Sequence, residues 1–281
     1  MRTESEIFKI ILEFAKADPR IRVVILEGSR TNENVPRDDF RDFDVSFGVT
    51  EMASFVESDA WLSVFGNRVM MQKPEAMDFF PPEMDWFSYL MLFDDGVKID
   101  LTLVPTSDLD KFLSSDKLMK TLLDKDGLVG RDLMPTDEDY WITSPTPAFF
   151  DDVCNEFWLS STYVAKGLVR NEPLFAAHMM ERVVRDQALT MLSWKIGAEH
   201  GFDFSLGKHF KFIRSYLTVK EWELLMKTYR MDDLESSWAA LRAAQKLFRD
   251  ASMQVARKFG YRYPDYDAAV TRYINNFMIE S

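Results

Sequence analysis

Apolar side chains recur along this chain with two different periods, and the switch between them divides it. In the first half Phe43, Val45, Phe47 and Val49 alternate with Asp42, Asp44 and Ser46. Farther on, Val97, Ile99, Leu101 and Leu103 alternate with Lys98, Asp100 and Thr102. A period of two puts each set on one face of a β-strand. Strands are therefore predicted over residues 42–49 and 97–104, and shorter apolar runs predict others over 23–27, 68–72 and 86–93. Asp94-Asp95-Gly96 joins the last two as a β-hairpin turn. Helical spacing of Ile7, Phe8, Ile10, Ile11 and Phe14 predicts a helix over 5–17, ended by Ala17-Asp18-Pro19. Further helices are predicted over 58–65 and 109–123, the latter stopped by Asp126-Gly127.

Pro135, Pro145 and Pro147 crowd the next stretch and interrupt both helix and sheet. Strand signals end there. Residues 149–169, 174–200, 210–216, 218–229, 234–259 and 265–279 all carry helical periodicity, and Thr218-Val219-Lys220-Glu221 is a capping box. The predicted fold is α+β: a mixed β-sheet with flanking helices over residues 1–145, then a helical bundle over 146–281. There is no internal repeat and no low-complexity tract.

With 281 residues and 47% hydrophobic side chains, the chain can fill sizeable cores. Lys and Arg number 34 against 46 Asp and Glu, a formal charge of −12. Such a surface repels nucleic acid and favours small polycations. Cys154 is the sole cysteine, so an internal disulfide and a cysteine-based zinc cluster are excluded. His178, His200 and His209 lack metal-ligand spacing. No signal-like leader or long apolar run is found, which predicts a cytoplasmic protein with no membrane span.

The chemistry centres on Asp42, Asp44 and Asp100. Asp-x-Asp on an amphipathic strand is common and ordinarily a solvated face. Here, however, the apolar run Val24-Ile25-Leu26-Glu27 ends at Gly28-Ser29, where a residue without a Cβ lets a phosphate or backbone approach. Ser29 and Arg30 add a hydroxyl and a cation. Carboxylates held together repel one another unless a multivalent cation lies between them. Mg²⁺, bound by hard oxygens and substrate phosphates, is the expected occupant. The segment 31–41 reads as a loop over a nucleotide, with Arg37 and Arg41 beside Asp38 and Asp39 as surface arginines.

Gly-Ser, twelve residues, Asp-x-Asp and a later apolar-Asp-apolar strand together resemble the signature of the nucleotidyltransferase superfamily. Longer strings are similar to the aminoglycoside 6-adenylyltransferases, the streptomycin-modifying enzymes. They include Leu26-Glu27-Gly28-Ser29-Arg30-Thr31-Asn32, Asp42-Phe43-Asp44-Val45-Ser46, Met70-Met71-Gln72-Lys73-Pro74 and Asp100-Leu101-Thr102-Leu103. Leu122-Leu123-Asp124-Lys125-Asp126-Gly127, Asn155-Glu156-Phe157-Trp158 and Tyr163-Val164-Ala165-Lys166-Gly167-Leu168 continue the likeness. Gly207-Lys208-His209-Phe210-Lys211-Phe212 and Tyr263-Pro264-Asp265-Tyr266 carry it almost to the end of the chain.

The resemblance implies a nucleotidyltransferase-type sheet in which Gly28, Ser29 and Arg30 hold the phosphates of ATP, joined by Lys208. Asp42, Asp44 and Asp100 would be both the catalytic acids and the ligands of Mg²⁺, with two ions expected. It also implies that the helical half holds a cationic aminoglycoside, with Glu156, Trp158, Tyr163, Glu181 and Trp194 as candidates because acids and aromatic faces bind guanidinium groups. No obligate protein partner is expected. Two other readings stay open: a nucleotidyltransferase acting on a protein or another acceptor, and an inactive nucleotide-binding module.

Overall fold

In the computed structural model, which describes residues 2–80, 84–130 and 132–279, the chain divides into two units, Met1–Asp139 and Tyr140–Ser281. The first begins with a capping box. Thr3 Oγ1 accepts the Glu6 N–H, and the Glu6 carboxylate accepts the Thr3 N–H at 2.7 Å, which starts helix α1 (Glu4–Ala17). Six strands follow: β1 (Ile21–Glu27), β2 (Phe43–Val49), β3 (Arg68–Gln72), β4 (Phe87–Phe93), β5 (Lys98–Pro105) and β6 (Met119–Asp124). They form one mixed sheet in the order β3-β4-β5-β2-β1-β6. Strands β2 and β5 run parallel, and the other neighbours pair antiparallel.

The alternation read from the sequence sets the two faces. Val24, Leu26, Phe43, Val45, Phe47, Ile99, Leu101 and Leu103 are buried with Ile7, Ile11 and Ala15 of α1 and with Phe65 of a 3₁₀ helix, Asp59–Phe65. A short helix, α2 (Met52–Val56), adds Phe55 to this layer. The opposite face is apolar only in part. Val23, Ile25, Val104 and Met119 pack there against Leu109, Phe112 and Leu113 of α3 (Leu109–Leu113). The remainder of that face carries polar side chains.

The helix expected over 109–123 is corrected. Helix α3 stops at Leu113, and Met119–Asp124 is β6, antiparallel to β1. Ser114 and Ser115 turn their hydroxyls onto the Asp110 and Phe112 carbonyls at 2.7 Å each, which favours ending the helix. The exposed edge of β1 then supplies what local propensity cannot, a row of backbone partners whose burial without pairing would be costly.

The second unit is helical: α4 (Pro147–Val169), α5 (Pro173–Met179), α6 (Arg185–His200), α7 (Val219–Lys227), α8 (Leu234–Phe259) and α9 (Tyr266–Ile279). The single helix expected over 174–200 is interrupted by a π-turn at Met180–Val184, and the helix expected over 210–216 is replaced by 3₁₀ turns at Lys208–Phe210 and Ile213–Tyr216. The capping box at Thr218 and Glu221 is present, with Glu221 also reached by the buried Lys195 at 3.0 Å. The rings of Phe157 and Phe248 stack with centroids 3.7 Å apart. Asp267 accepts bonds from Arg249, Tyr263 and Thr271, and the Arg249 guanidinium lies 5.1 Å from the centre of the Trp158 ring. Arg249 thus ties α8 to α9, and the Tyr263 hydroxyl of the Tyr-Pro-Asp-Tyr string is spent on the Asp267 carboxylate that receives it.

Trp158 and Trp194, expected to face a substrate, are 1% and 3% exposed and belong to the bundle core. They lie on the apolar stripes of their helices, where packing takes precedence over recognition. No helix among the described residues is long and apolar enough to cross a membrane. Replacing Trp158→Ala is expected to lower the unfolding free energy of the full chain by about 3–5 kcal/mol, measured by urea denaturation; a loss within error of zero would return Trp158 to the surface.

Candidate active site

Strand β1 ends at Glu27, and Gly28–Arg30 makes one 3₁₀ turn. Gly28 sits at φ +67°, and a Cβ built there would come within 2.6 Å of Asp44 Oδ2. Both the conformation and the approach of the carboxylate therefore require glycine. The turn is anchored from below: the Gly28 N–H donates to the Leu118 carbonyl at 3.0 Å, and Thr31 Oγ1 donates to the Gly28 and Leu118 carbonyls. Leu118 is the residue that leads into β6, so the misread strand supports the turn directly.

Arg30 is anchored within the protein. Its Nε donates to the Asp42 carbonyl at 2.8 Å, Nη2 to the Arg41 carbonyl at 2.7 Å and Nη1 to Glu4 Oε2 at 2.8 Å. The guanidinium also lies 3.6 Å from the centre of the Phe43 ring, and burial pulls its pKa below the usual arginine value. These three bonds clamp the start of β2, and two of the five guanidinium N–H groups are left over on a side chain that lines the adjacent cavity. Exposed Arg37 and half-buried Arg41 line a cavity of about 320 Å³ with Arg30, Asp42 and Lys98. The Arg41 Nε is buried there without a hydrogen-bond partner.

The three acids come together on the partly polar face of the sheet. Asp44 of β2 is the register partner of Asp100 on parallel β5, and Asp42 precedes Asp44 by two residues. Lys98, two residues before Asp100, donates from Nζ to Asp42 Oδ2 at 2.7 Å and to Asp100 Oδ2 at 2.6 Å. Burial alone would lower the Lys98 pKa, but the bonds to Asp100 and Asp42 raise it overall. Asp44 is pushed up to about 6 by burial and then by Asp100 and Asp42, with Lys98 and Arg30 opposing.

Among the described residues no three His, Cys, Asp or Glu side chains are arranged to hold a metal ion as they stand. The Lys98 ammonium lies where Asp42 and Asp100 would share a cation. The donor set nevertheless fits a hard divalent ion. It consists of carboxylate oxygens, and Asp100 Oδ1 is buried with no hydrogen-bond partner.

Glu27 is the acid that the sequence reading missed. It is the antiparallel register partner of Asp44, and its carboxylate accepts a hydrogen bond from Ser46 Oγ. Burial pushes its pKa up to about 7, the Ser46 bond opposes this, and Asp44 and Asp116 add to it. A charged residue closing an apolar strand just before Gly-Ser was the available signal. Lys98 was placed on the correct face by its alternation with Asp100, but two strands had to be in register before its role was visible.

In the helical unit Lys208 is exposed and opens a strained turn in which Gly207, His209 and Phe210 have φ of 74°, 55° and 59°. Glu156 is exposed and accepts from Ser160 Oγ at 3.0 Å. Tyr163 is 37% exposed with Lys166 Nζ 5.7 Å from its ring centre. Glu181 is exposed in the π-turn.

Two measurements check this site. Because Asp44 and Glu27 bind protons more tightly folded than unfolded, their effect is to reduce stability as pH rises from about 4 through about 6 and 7. Asp44→Asn should flatten the fall in Tm between pH 5 and 8 and give a metal-free Tm at pH 8 about 2–4 °C above the parent, the shift of roughly 1 kcal/mol; an unchanged profile would refute the raised pKa. Gly28→Ala should lower the unfolding free energy by about 1–2 kcal/mol from the left-handed backbone alone, read by chemical denaturation.

Comparison with known proteins identifies the family. Residues 1–277 match the streptomycin adenylyltransferase family. The chain is 50% identical over 275 residues to an aminoglycoside 6-adenylyltransferase of Bacillus subtilis (strain 168), with 97% of each chain covered. It is 51% identical over 274 residues to one of Campylobacter jejuni, covering 98% of this chain and 95% of the other. A solved aminoglycoside 6-adenyltransferase from Bacillus subtilis superposes with a TM-score of 0.49 at 44% identity, with 99% of each chain covered. The chain belongs to the streptomycin adenylyltransferase family of nucleotidyltransferase enzymes.

Proposed function

We propose that this enzyme transfers AMP from ATP to a hydroxyl of an aminoglycoside, the 6-hydroxyl of streptomycin, with pyrophosphate leaving. The observation that carries the reading is the register of Asp44 with Asp100, with Asp42 two residues before and Gly28 packed against the Asp44 carboxylate. Asp42, Asp44 and Asp100 would hold Mg²⁺. When bound, the ion would polarise the reacting phosphate and offset its charge.

The chain's own groups divide the remaining work. Asp100, with a buried oxygen free of hydrogen bonds, takes the proton of the acceptor hydroxyl as its oxygen bonds to the α-phosphorus. The bond from that phosphorus to the bridging oxygen breaks, and its electron pair leaves with pyrophosphate. Ser29 at the Gly-Ser turn, with Arg37 and Arg41 in the adjacent cavity, supplies donors for the departing phosphates. Lys98 neutralises Asp42 and Asp100 through the ammonium that bridges them.

The test is mass spectrometry of streptomycin incubated with ATP, Mg²⁺ and either the parent or Asp44→Asn. The parent should add one adenylyl group, and the variant should be slower by at least about 100-fold. Adenylylation that survives the substitution, or ATP-dependent labelling of a protein in place of the antibiotic, would overturn the proposal.

A further inference from the structure

A groove of about 690 Å³ opens in the sheet unit where the row of carboxylates ends. Its floor includes Thr102 of β5, two residues beyond Asp100 on the same face, and its register partner Ser88 of β4. Glu27, the register partner of Asp44, forms one side. The walls are aromatic, with Trp86 and Phe112 meeting edge to face at 5.2 Å between ring centres and Phe80 opposite. Two further carboxylates, Glu75 and Asp116, complete the lining.

We propose that this groove seats the cationic ring of the acceptor, a guanidinium- or ammonium-bearing aminocyclitol; the inference rests on the function proposed above and locates the substrate of that reaction. Its size is that of small-molecule sites, about 300–1,000 Å³. The described residues that line it include three carboxylates and no Lys, Arg or His, so phosphate is repelled and an apolar guest would leave the acids desolvated without partners. A guanidinium group answers both features at once, forking onto a carboxylate while its plane lies on an aromatic ring.

The acids are already oriented. Glu75 accepts from the Ser88 N–H at 2.8 Å and from Ser88 Oγ at 2.9 Å, Asp116 Oδ1 accepts from the Leu118 N–H at 2.7 Å, and Glu27 accepts from Ser46. Glu75 and Glu27 retain lone pairs beyond these bonds. The Trp86 indole N–H, buried without an acceptor, provides a donor for which the protein has no use. Continuity with Asp100 through Thr102 brings a hydroxyl of a ring seated here toward the acids that would deprotonate it.

The test is titration calorimetry of streptomycin into the full-length parent, Glu75→Gln, Asp116→Asn and the double variant, without nucleotide. Glu75→Gln leaves one oxygen to accept the Ser88 N–H and an amide N–H to donate to Ser88 Oγ, Asp116→Asn leaves an acceptor for the Leu118 N–H, and thermal unfolding of each variant checks that it is folded while charge is removed. Each single change should weaken binding about tenfold or more, as expected for a charge-assisted contact, and raise the KM for streptomycin while the KM for ATP stays constant. Asp110→Asn, an exposed acid on α3 outside the groove, should change neither. If the parent adenylylates streptomycin while the groove variants keep its affinity and KM, the groove is overturned and the reaction stands. If the variants lose streptomycin binding although the parent transfers no adenylyl group, the groove stands and the reaction fails. No saturable binding to the parent overturns the groove.

Discussion

Like charge brought together on one sheet face is the constraint from which the amino-terminal unit takes its form. Asp44 and Asp100 face the same way because β2 and β5 are parallel and in register, and Glu27 joins them because β1 is antiparallel to β2. Four carboxylates so placed oppose one another. The protein offsets this with the Lys98 ammonium between Asp42 and Asp100, with the Ser46 hydroxyl on Glu27, and by letting Asp44 and Glu27 hold protons more tightly than free carboxylates do. Each compensation is one that a cation could replace. A site of this kind is a store of electrostatic work, kept folded by the apolar layer under α1 on the other side of the sheet.

Rigidity around that charge comes from groups outside the reacting set. Arg30 ties the carbonyls of Arg41 and Asp42 to Glu4 at the start of α1, fixing the entry into β2. Thr31 and the Leu118 carbonyl hold the Gly28 turn. Strand β6, continuous with Leu118, is therefore part of the site's support as well as the edge of the sheet. The same face is graded in polarity: apolar where α3 covers it, acidic at the centre, aromatic and acidic in the groove bounded by Trp86 and Phe112.

The residues that announced themselves in the sequence did so through alternation. Asp42, Asp44 and Asp100 could be put on strand faces because period two is a local property, and the helices of the carboxyl-terminal half were legible because period 3.6 is equally local. The capping box at Thr218 is local as well. What escaped was set by distant partners. Residues 119–124 pair with β1, and helical spacing over 109–123 gave no hint of it. Trp158 and Trp194 carry the chemistry of recognition but lie on buried stripes, and a side chain's type does not say which way its helix will be turned. Arg30 offers a cation to any reader of the string Gly-Ser-Arg, but the string does not show that two of its donors reach carbonyls eleven and twelve residues away and a third reaches Glu4.

From the sequence alone came the α+β class, the acid trio, the Gly-Ser turn and the family likeness, because composition, periodicity and short motifs are written in neighbouring residues. Tertiary structure alone decided that Glu27 and Lys98 join the acids, that Arg30 is a clamp, that Arg37 and Arg41 line a cavity, and that Trp86, Phe112, Glu75 and Asp116 enclose a groove. Those facts depend on strand register and on which edge each strand finds. Both are settled by backbone hydrogen bonds between segments far apart in the chain, about which local pattern carries no information.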